Sequence, residues 1–231
     1  MDIHLLHIGK TGGTTLKQMV KGAGADQLPD RRVVLHLHGT RAVDVFARDE
    51  PGAVAFFVRD PVARFVSGFN SRLRKGAPIA NIPWRPAEEI TFARFATPND
   101  LAEALSSKHE VQQDRAFVAM DSLIHTRLHL TYWLRSPDYL ESRIGGIAFA
   151  GSQERFTEDV GRFFDLLGVP PPIVDHAHQA PAGSSTELSD VATRNLQTWY
   201  ADDFALYDWV VRRRDTWTTD RLLERDGLDG E

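Results

Sequence analysis

Apolar positions along the chain fall into two kinds of run, solid blocks of four to six residues and stripes at helical spacing. The block Ile3-His4-Leu5-Leu6-His7-Ile8 predicts a buried strand. Gly9 to Thr15 is a turn rich in Gly and Thr, after which Leu16, Met19 and Val20 mark a helix that Gly22 and Gly24 end. Val33 to His38 predicts a second strand, and Thr40 a cap for a helix holding Ala42, Val45 and Phe46, stopped by Asp49-Glu50-Pro51-Gly52. Ala53 to Val58 is apolar on both faces, as in a covered parallel sheet. Asp60 then caps a helix with Pro61 in its first turn and a stripe of Val62, Phe65, Val66, Phe69 and Leu73. Gly76 to Pro86 reads as a loop, Phe92 to Ser107 as a helix restarting at Thr97-Pro98, and Asp121 to Leu134 as another helix. Ile147 to Ala150 is a late strand. Phe156, Val160, Phe163, Phe164 and Leu167 stripe a helix closed by Gly168 and Pro170. His176 to Ser189 is polar and irregular. Leu196, Tyr200, Phe204, Tyr207 and Val211 predict one last long helix before a charged, fraying tail after Thr218.

Strands separated by helices predict an α/β fold of three layers, a central parallel sheet flanked by helices. Ligands in such sheets bind beyond the carboxyl ends of the strands. The length of 231 residues and an apolar share of 42% suit one domain over 1–231, with no internal repeat.

Charge sharpens this picture. Net charge is −5, yet residues 1–75 carry 12 Lys and Arg against 7 Asp and Glu. A basic N-terminal third in an acidic chain points to a local anionic ligand rather than a nucleic-acid surface. Cysteine is absent, which excludes disulfides, thiolate zinc sites and a cysteine nucleophile, and suits a cytoplasmic setting. Residues 1–30 hold no long apolar run, so neither signal peptide nor membrane insertion is expected.

Two motifs lie where the sheet would present a ligand. In Gly9-Lys10-Thr11-Gly12-Gly13-Thr14-Thr15 a strand runs in and a helix runs out. The glycines admit backbone N–H groups close to an anion, the helix start adds positive potential, Thr14 and Thr15 add hydroxyls, and Lys10 adds a mobile charge. The triphosphatase pattern Gly-x-x-x-x-Gly-Lys-Ser/Thr fails, because position 4 is His4. The second motif is Phe57-Val58-Arg59-Asp60-Pro61 with Ser67 eight residues after Arg59. Arg at a strand end and Ser on the next helix can converge on one phosphate, with Arg64 as accessory. The plainer alternatives are a connecting turn for the first motif and an ion-paired Arg with a packing Ser for the second.

Taken together, His7-Ile8-Gly9-Lys10-Thr11-Gly12-Gly13-Thr14-Thr15-Leu16 and Val58-Arg59-Asp60-Pro61 with Arg64 and Ser67 resemble the Sulfotransfer_2-like branch of the PAPS-dependent sulfotransferases, related to heparan sulfate 2-O-sulfotransferases and bacterial sulfotransferases. Gly151 to Phe156 and Asp202 to Asp208 continue the likeness more diffusely. The resemblance implies a P-loop, nucleotide-kinase-like sulfotransferase fold. It implies transfer of a sulfo group from PAPS to a hydroxyl of a glycan or other small molecule, with release of PAP and no metal. Lys10, Thr11, Gly12, Gly13, Thr14 and Thr15 would hold the 5'-phosphosulfate, and Arg59 and Ser67 the 3'-phosphate. The loop Gly183-Ser184-Ser185 would close over the nucleotide, although it lacks the basic residue often found there.

Sulfo transfer needs a base for the acceptor proton and a cation at the departing phosphate oxygen. Lys10 suits the second role. His36 and His38 share one face of a strand by period two, and His38 stands at its end. The family's strand-end histidine favours His38 as base, with His36 as helper. A structural histidine pair is the plainer reading. His36-x-His38 and His176-x-His178 have ligand-like spacing, but no carboxylate completes a zinc set. Trp84, His125 and His129, with Tyr132 and Trp133, are weak candidates for the acceptor site, against core packing for each. A small-molecule kinase and a degenerate PAP-binding module are the alternative functions. The first would need ATP and Mg²⁺, for which Asp60 is the only nearby carboxylate and reads as a helix cap.

Overall fold

The solid apolar blocks become strands of one parallel sheet in a computed structural model that describes residues 2–29, 31–48, 52–78, 80–172 and 185–217. In chain order the elements are β1 (Ile3–Leu5), α1 (Gly13–Gly22), β2 (Val33–Leu35), α2 (Ala42–Phe46), β3 (Ala53–Val58), α3 (Pro61–Leu73), α4 (Pro86–Phe92), α5 (Pro98–Ala104), α6 (Glu110–Ser122), α7 (Ile124–Arg127), α8 (Leu130–Leu134), α9 (Pro137–Ser142), β4 (Ile147–Ser152), α10 (Phe156–Leu167), α11 (Asp190–Trp199) and α12 (Ala201–Arg213). The four strands lie in the order β2-β1-β3-β4, every pair parallel, and helices flank the sheet, so the α/β class is as the pattern predicts. Backbone proximity divides the chain into two compact units. Among the described residues, one comprises those within 2–59, 130–172 and 205–217, the other those within 60–129 and 185–204.

The first unit holds the sheet. All six residues of β3 are buried, as befits a strand with both faces covered. At Gly151 of β4 a Cβ would stand 2.7 Å from Phe57 Cε1, so the residue must be small for the strands to pack. α10 buries Val160, Phe163, Phe164, Leu166 and Leu167, each worth about 1.5–3 kcal/mol of transfer free energy. Gly168 closes it in the left-handed region at φ 72°.

The second unit packs around α3. Phe65, Phe69, Phe92, Leu101, Met120 and Leu196 share one core there. Asp60 Oδ1 accepts from Ala63 N at 2.8 Å, which is the predicted cap. Thr97 Oγ1 accepts from Asp100 N at 3.1 Å, which is the predicted restart.

Several expectations are corrected. The second strand stops at Leu35 rather than His38, because Thr40 N bonds Leu37 O and turns the chain there. The helix that follows is capped at Arg41, not Thr40, with Asp44 accepting from Arg41 N at 2.9 Å. The helix expected from Phe92 instead ends there and begins at Pro86, where proline at the first turn favours a start. Asp121 to Leu134 is not one helix but the end of α6, then α7 and α8, broken at Leu123 and Leu128, whose backbones are extended. The last long helix is split at Tyr200 into α11 and α12. Beyond the break the buried positions are Asp203, Leu206, Trp209 and Val210 rather than Phe204, Tyr207 and Val211.

Candidate functional site

The Gly-Thr motif lies in the first unit, between β1 and α1. Leu6 N donates to Ala55 O at 2.9 Å and carries the sheet pairing one residue past β1. The chain then makes a tight turn. Thr11 is buried and its Oγ1 donates to Ile8 O at 3.0 Å. Lys10 holds φ at 70°, a left-handed backbone that costs a non-glycine residue about 1–2 kcal/mol. Gly12 follows at φ 84° as the N-cap of α1 and supplies no side-chain cap. The first-turn N–H groups of α1 therefore face outward from an end that carries partial positive charge.

Both glycines are required by their neighbours. A Cβ on Gly12 would lie 2.4 Å from Gln153 Oε1 and 2.6 Å from Phe156 Cε2. A Cβ on Gly13 would lie 2.4 Å from His7 Cδ2. Thr14 is exposed and Thr15 half-buried.

Arg59 follows β3, and its Nη1 donates to Lys10 O at 3.4 Å. β1 and β3 are adjacent, but the chain leaves β1 toward β2 on one side and returns to β3 on the other. The gap between their carboxyl ends is a topological switch point, where open parallel sheets bind ligands. The backbone of Lys10, the start of α1 and Arg59 border it.

His36 and His38 each meet a histidine of the β1 segment. His36 Nε2 is 2.8 Å from His4 Nδ1, with rings stacked at 5.1 Å. His38 stacks on His7 at 3.8 Å and its Nδ1 is 3.1 Å from His7 O. A carbonyl only accepts, so the His38 proton is on Nδ1 and the lone pair on Nε2. Burial, partly offset by that bond and reinforced by Lys17 and Lys10, holds His38 below the ordinary histidine value. It is neutral near pH 7. Burial and Arg48 lower His36 as well. Burial, Arg48 and His36 take His4 to about 4, and burial, His38 and Lys17 take His7 to about 3. Lys17 Nζ reaches His36 O at 3.5 Å, and burial and Lys21 lower its own value. Trp133 Nε1 donates to His38 O at 2.7 Å, and Tyr132 Oη to Gly39 O at 3.4 Å. Trp133 thus fixes the backbone that carries His38.

The other candidates fall in the second unit or outside the described residues. Ser67 is half-buried on α3. Ser185 is exposed and its carbonyl accepts from Asn70 Nδ2 at 2.7 Å, while Gly183, Ser184, His176 and His178 lie outside the described residues. Arg64 is not an accessory anion ligand. It is buried, donates to Leu128 O at 2.5 Å and lies 3.7 Å from Asp203. His129 Nδ1 is 3.6 Å from the same carboxylate, and the Cβ of His125 packs against Gly68. Trp84 is held in place, donating to Arg72 O at 2.7 Å beneath Lys75.

His4, His7, Lys17 and Gln153 were not singled out by sequence. Parallel register supplies the missing signal. His4 pairs with Val34, two residues before His36, and His36 N still bonds Leu5 O at 3.1 Å just past β2, so both rings fall on one face. Among the described residues, no group of three or more His, Asp or Glu side chains is placed to hold a metal ion, and no helix is long and apolar enough to cross a membrane. Comparison with family models, curated proteins and solved structures gives no match.

Proposed function

We propose that the chain is a sulfotransferase of the P-loop, nucleotide-kinase-like fold. The loop from Gly9 to Thr15 takes the 5'-phosphosulfate of PAPS and the sulfo group passes to an acceptor hydroxyl. What carries this reading is the meeting of Lys10, the uncapped start of α1 and Arg59 at the switch point between β1 and β3. A sulfonated phosphate needs directed N–H donors and a cation, and this reading assigns those parts to the first turn of α1 and to Lys10.

The transfer is an in-line displacement. The acceptor hydroxyl loses its proton to His38 Nε2 as its oxygen bonds to sulfur. The bond from sulfur to the bridging phosphate oxygen breaks, and its electron pair stays on PAP. Lys10 and the N–H groups of Gly13 to Thr15 stabilise that charge as it develops. Arg59 binds a phosphate of the same nucleotide through its planar fork. No role is assigned to Ser67. A chain without cysteine suits a cytoplasmic reaction.

Calorimetric titration with PAP, beside ADP with Mg²⁺, tests the reading. PAP should bind without metal, and Arg59→Ala should weaken it at least tenfold, the usual cost of a charge-assisted bond. Binding of ADP with Mg²⁺ and none of PAP would sink the sulfotransferase and favour a kinase.

A further inference from the structure

His7 sits between β1 and the anion loop and is only 8% exposed. One face of its ring stacks on His38. Its Cδ2–Nε2 edge lies against Gly13, where a Cβ would stand 2.4 Å from Cδ2 and 2.9 Å from Nε2. Nδ1, on the other edge, is buried without a hydrogen-bond partner among the described residues. These surroundings select a tautomer. A neutral imidazole has one N–H, and orphaned buried N–H groups are rarer than orphaned acceptors. The proton therefore belongs on Nε2, the nitrogen on the side of Gly13. Gly13 is the first residue of α1, so this N–H stands beside the helix end that presents its own N–H groups.

We propose that His7 is a neutral hydrogen-bond donor of the anion site, its Nε2–H binding a phosphate or sulfo oxygen held at the start of α1. This rests on the phosphosulfate reading of the loop. A neutral donor adds a directed bond without crowding a third positive charge against Lys10 and Lys17. The two stacked rings then divide the work. His38 gives its Nδ1–H to the His7 carbonyl and keeps an accepting Nε2, while His7 keeps a donating Nε2. The bare Cα of Gly13 is what lets the ring edge reach this position.

His7→Phe keeps a flat ring against Gly13 and His38 and removes the N–H. Calorimetric titrations of the full chain with PAP and with inorganic pyrophosphate should show affinity at least tenfold weaker for both, with an unchanged thermal midpoint. Unchanged affinity would overturn the role of His7. Nitrogen-15 spectra of the unaltered chain give a second readout that does not depend on the variant folding. The His7 ring should carry its proton on Nε2, and that resonance should move on saturation with PAP. A proton on Nδ1, or a resonance that PAP leaves in place, would overturn the assignment. Failure of the unaltered chain to bind either probe would remove the phosphosulfate reading and His7 with it. PAP binding that His7→Phe leaves intact would remove His7 alone.

Discussion

Lys10 combines a proposed chemical role with an unfavourable backbone, and two substitutions separate them. Its φ of 70° is left-handed. Alanine keeps that strain and removes the ammonium. Glycine removes both, although it gains freedom in the unfolded chain. Strain relief is worth about 1–2 kcal/mol and the added unfolded-state entropy costs about 0.4–1 kcal/mol. Lys10→Gly should therefore be more stable than Lys10→Ala by about 0.5–1 kcal/mol, the reverse of the order these residues show inside a helix. For a chain of this size that is a midpoint difference of about 1–4 °C by differential scanning calorimetry. Both variants should lose turnover by about 10²–10³, as when one oxyanion donor is removed. A continuous assay of PAP release measures the second effect. A glycine variant less stable than the alanine variant would refute the strained backbone. Full turnover in either variant would refute the role of the ammonium.

Acid should destabilise the first unit before its carboxylates titrate. His4 and His7 titrate at about 4 and about 3 in the folded chain, against 6.5 ordinarily. The unfolded chain thus takes up protons first as pH falls. Their contribution is complete above about pH 6.5 and is lost as pH falls toward 4 and 3, at about 1.4 kcal/mol per pH unit for each ring. Urea unfolding at pH 7 and pH 5 should show a clear drop in stability, and equal midpoints would contradict the burial of both rings. In the second unit, Arg72 and Glu88 form a buried pair at 2.7 and 2.6 Å. Burial opposes the Glu88 charge, but the bonds from Arg72 prevail and hold its carboxyl below the usual range. Glu88→Gln leaves the guanidinium without its countercharge and should cost about 3–5 kcal/mol in thermal or urea unfolding. A loss under about 1 kcal/mol would show that water reaches the pair.

Elements with local signals were legible in the sequence. β3 is as long as its apolar block, Asp60 and Pro61 start α3, and Gly168 ends α10. The loop from Gly9 to Thr15 and the strand-end Arg59 were legible because strand, glycine and helix follow one another directly. α6 was not, because it buries Ala116, Ala119 and Met120 while Val111 and Val118 face water. No apolar stripe marks such a helix. The histidine pairs were half legible. His36 and His38 were found from their alternation after the second apolar block, but His4 acquires meaning only through β1–β2 pairing and His7 only through its stacking on His38. The break at Tyr200 has no proline or glycine to announce it. It goes with a buried phenol that donates to Thr126 O at 2.9 Å, a tertiary contact that a stripe does not encode.

The pairing of β3 with β4 bears on how the chain is made. His4 pairs with Val54, so one flank of β3 finds its neighbour among residues already synthesised. The other flank waits for Ile147 to Ser152. At ribosomal speed that wait is roughly five to twenty seconds, during which a wholly apolar strand has an open edge. A nascent chain stalled within this interval is a template for strand addition by a second copy. A fragment that stops before Ile147 should therefore collect in inclusion bodies, and supplying residues 130–217 as a separate chain should return part of it to solution.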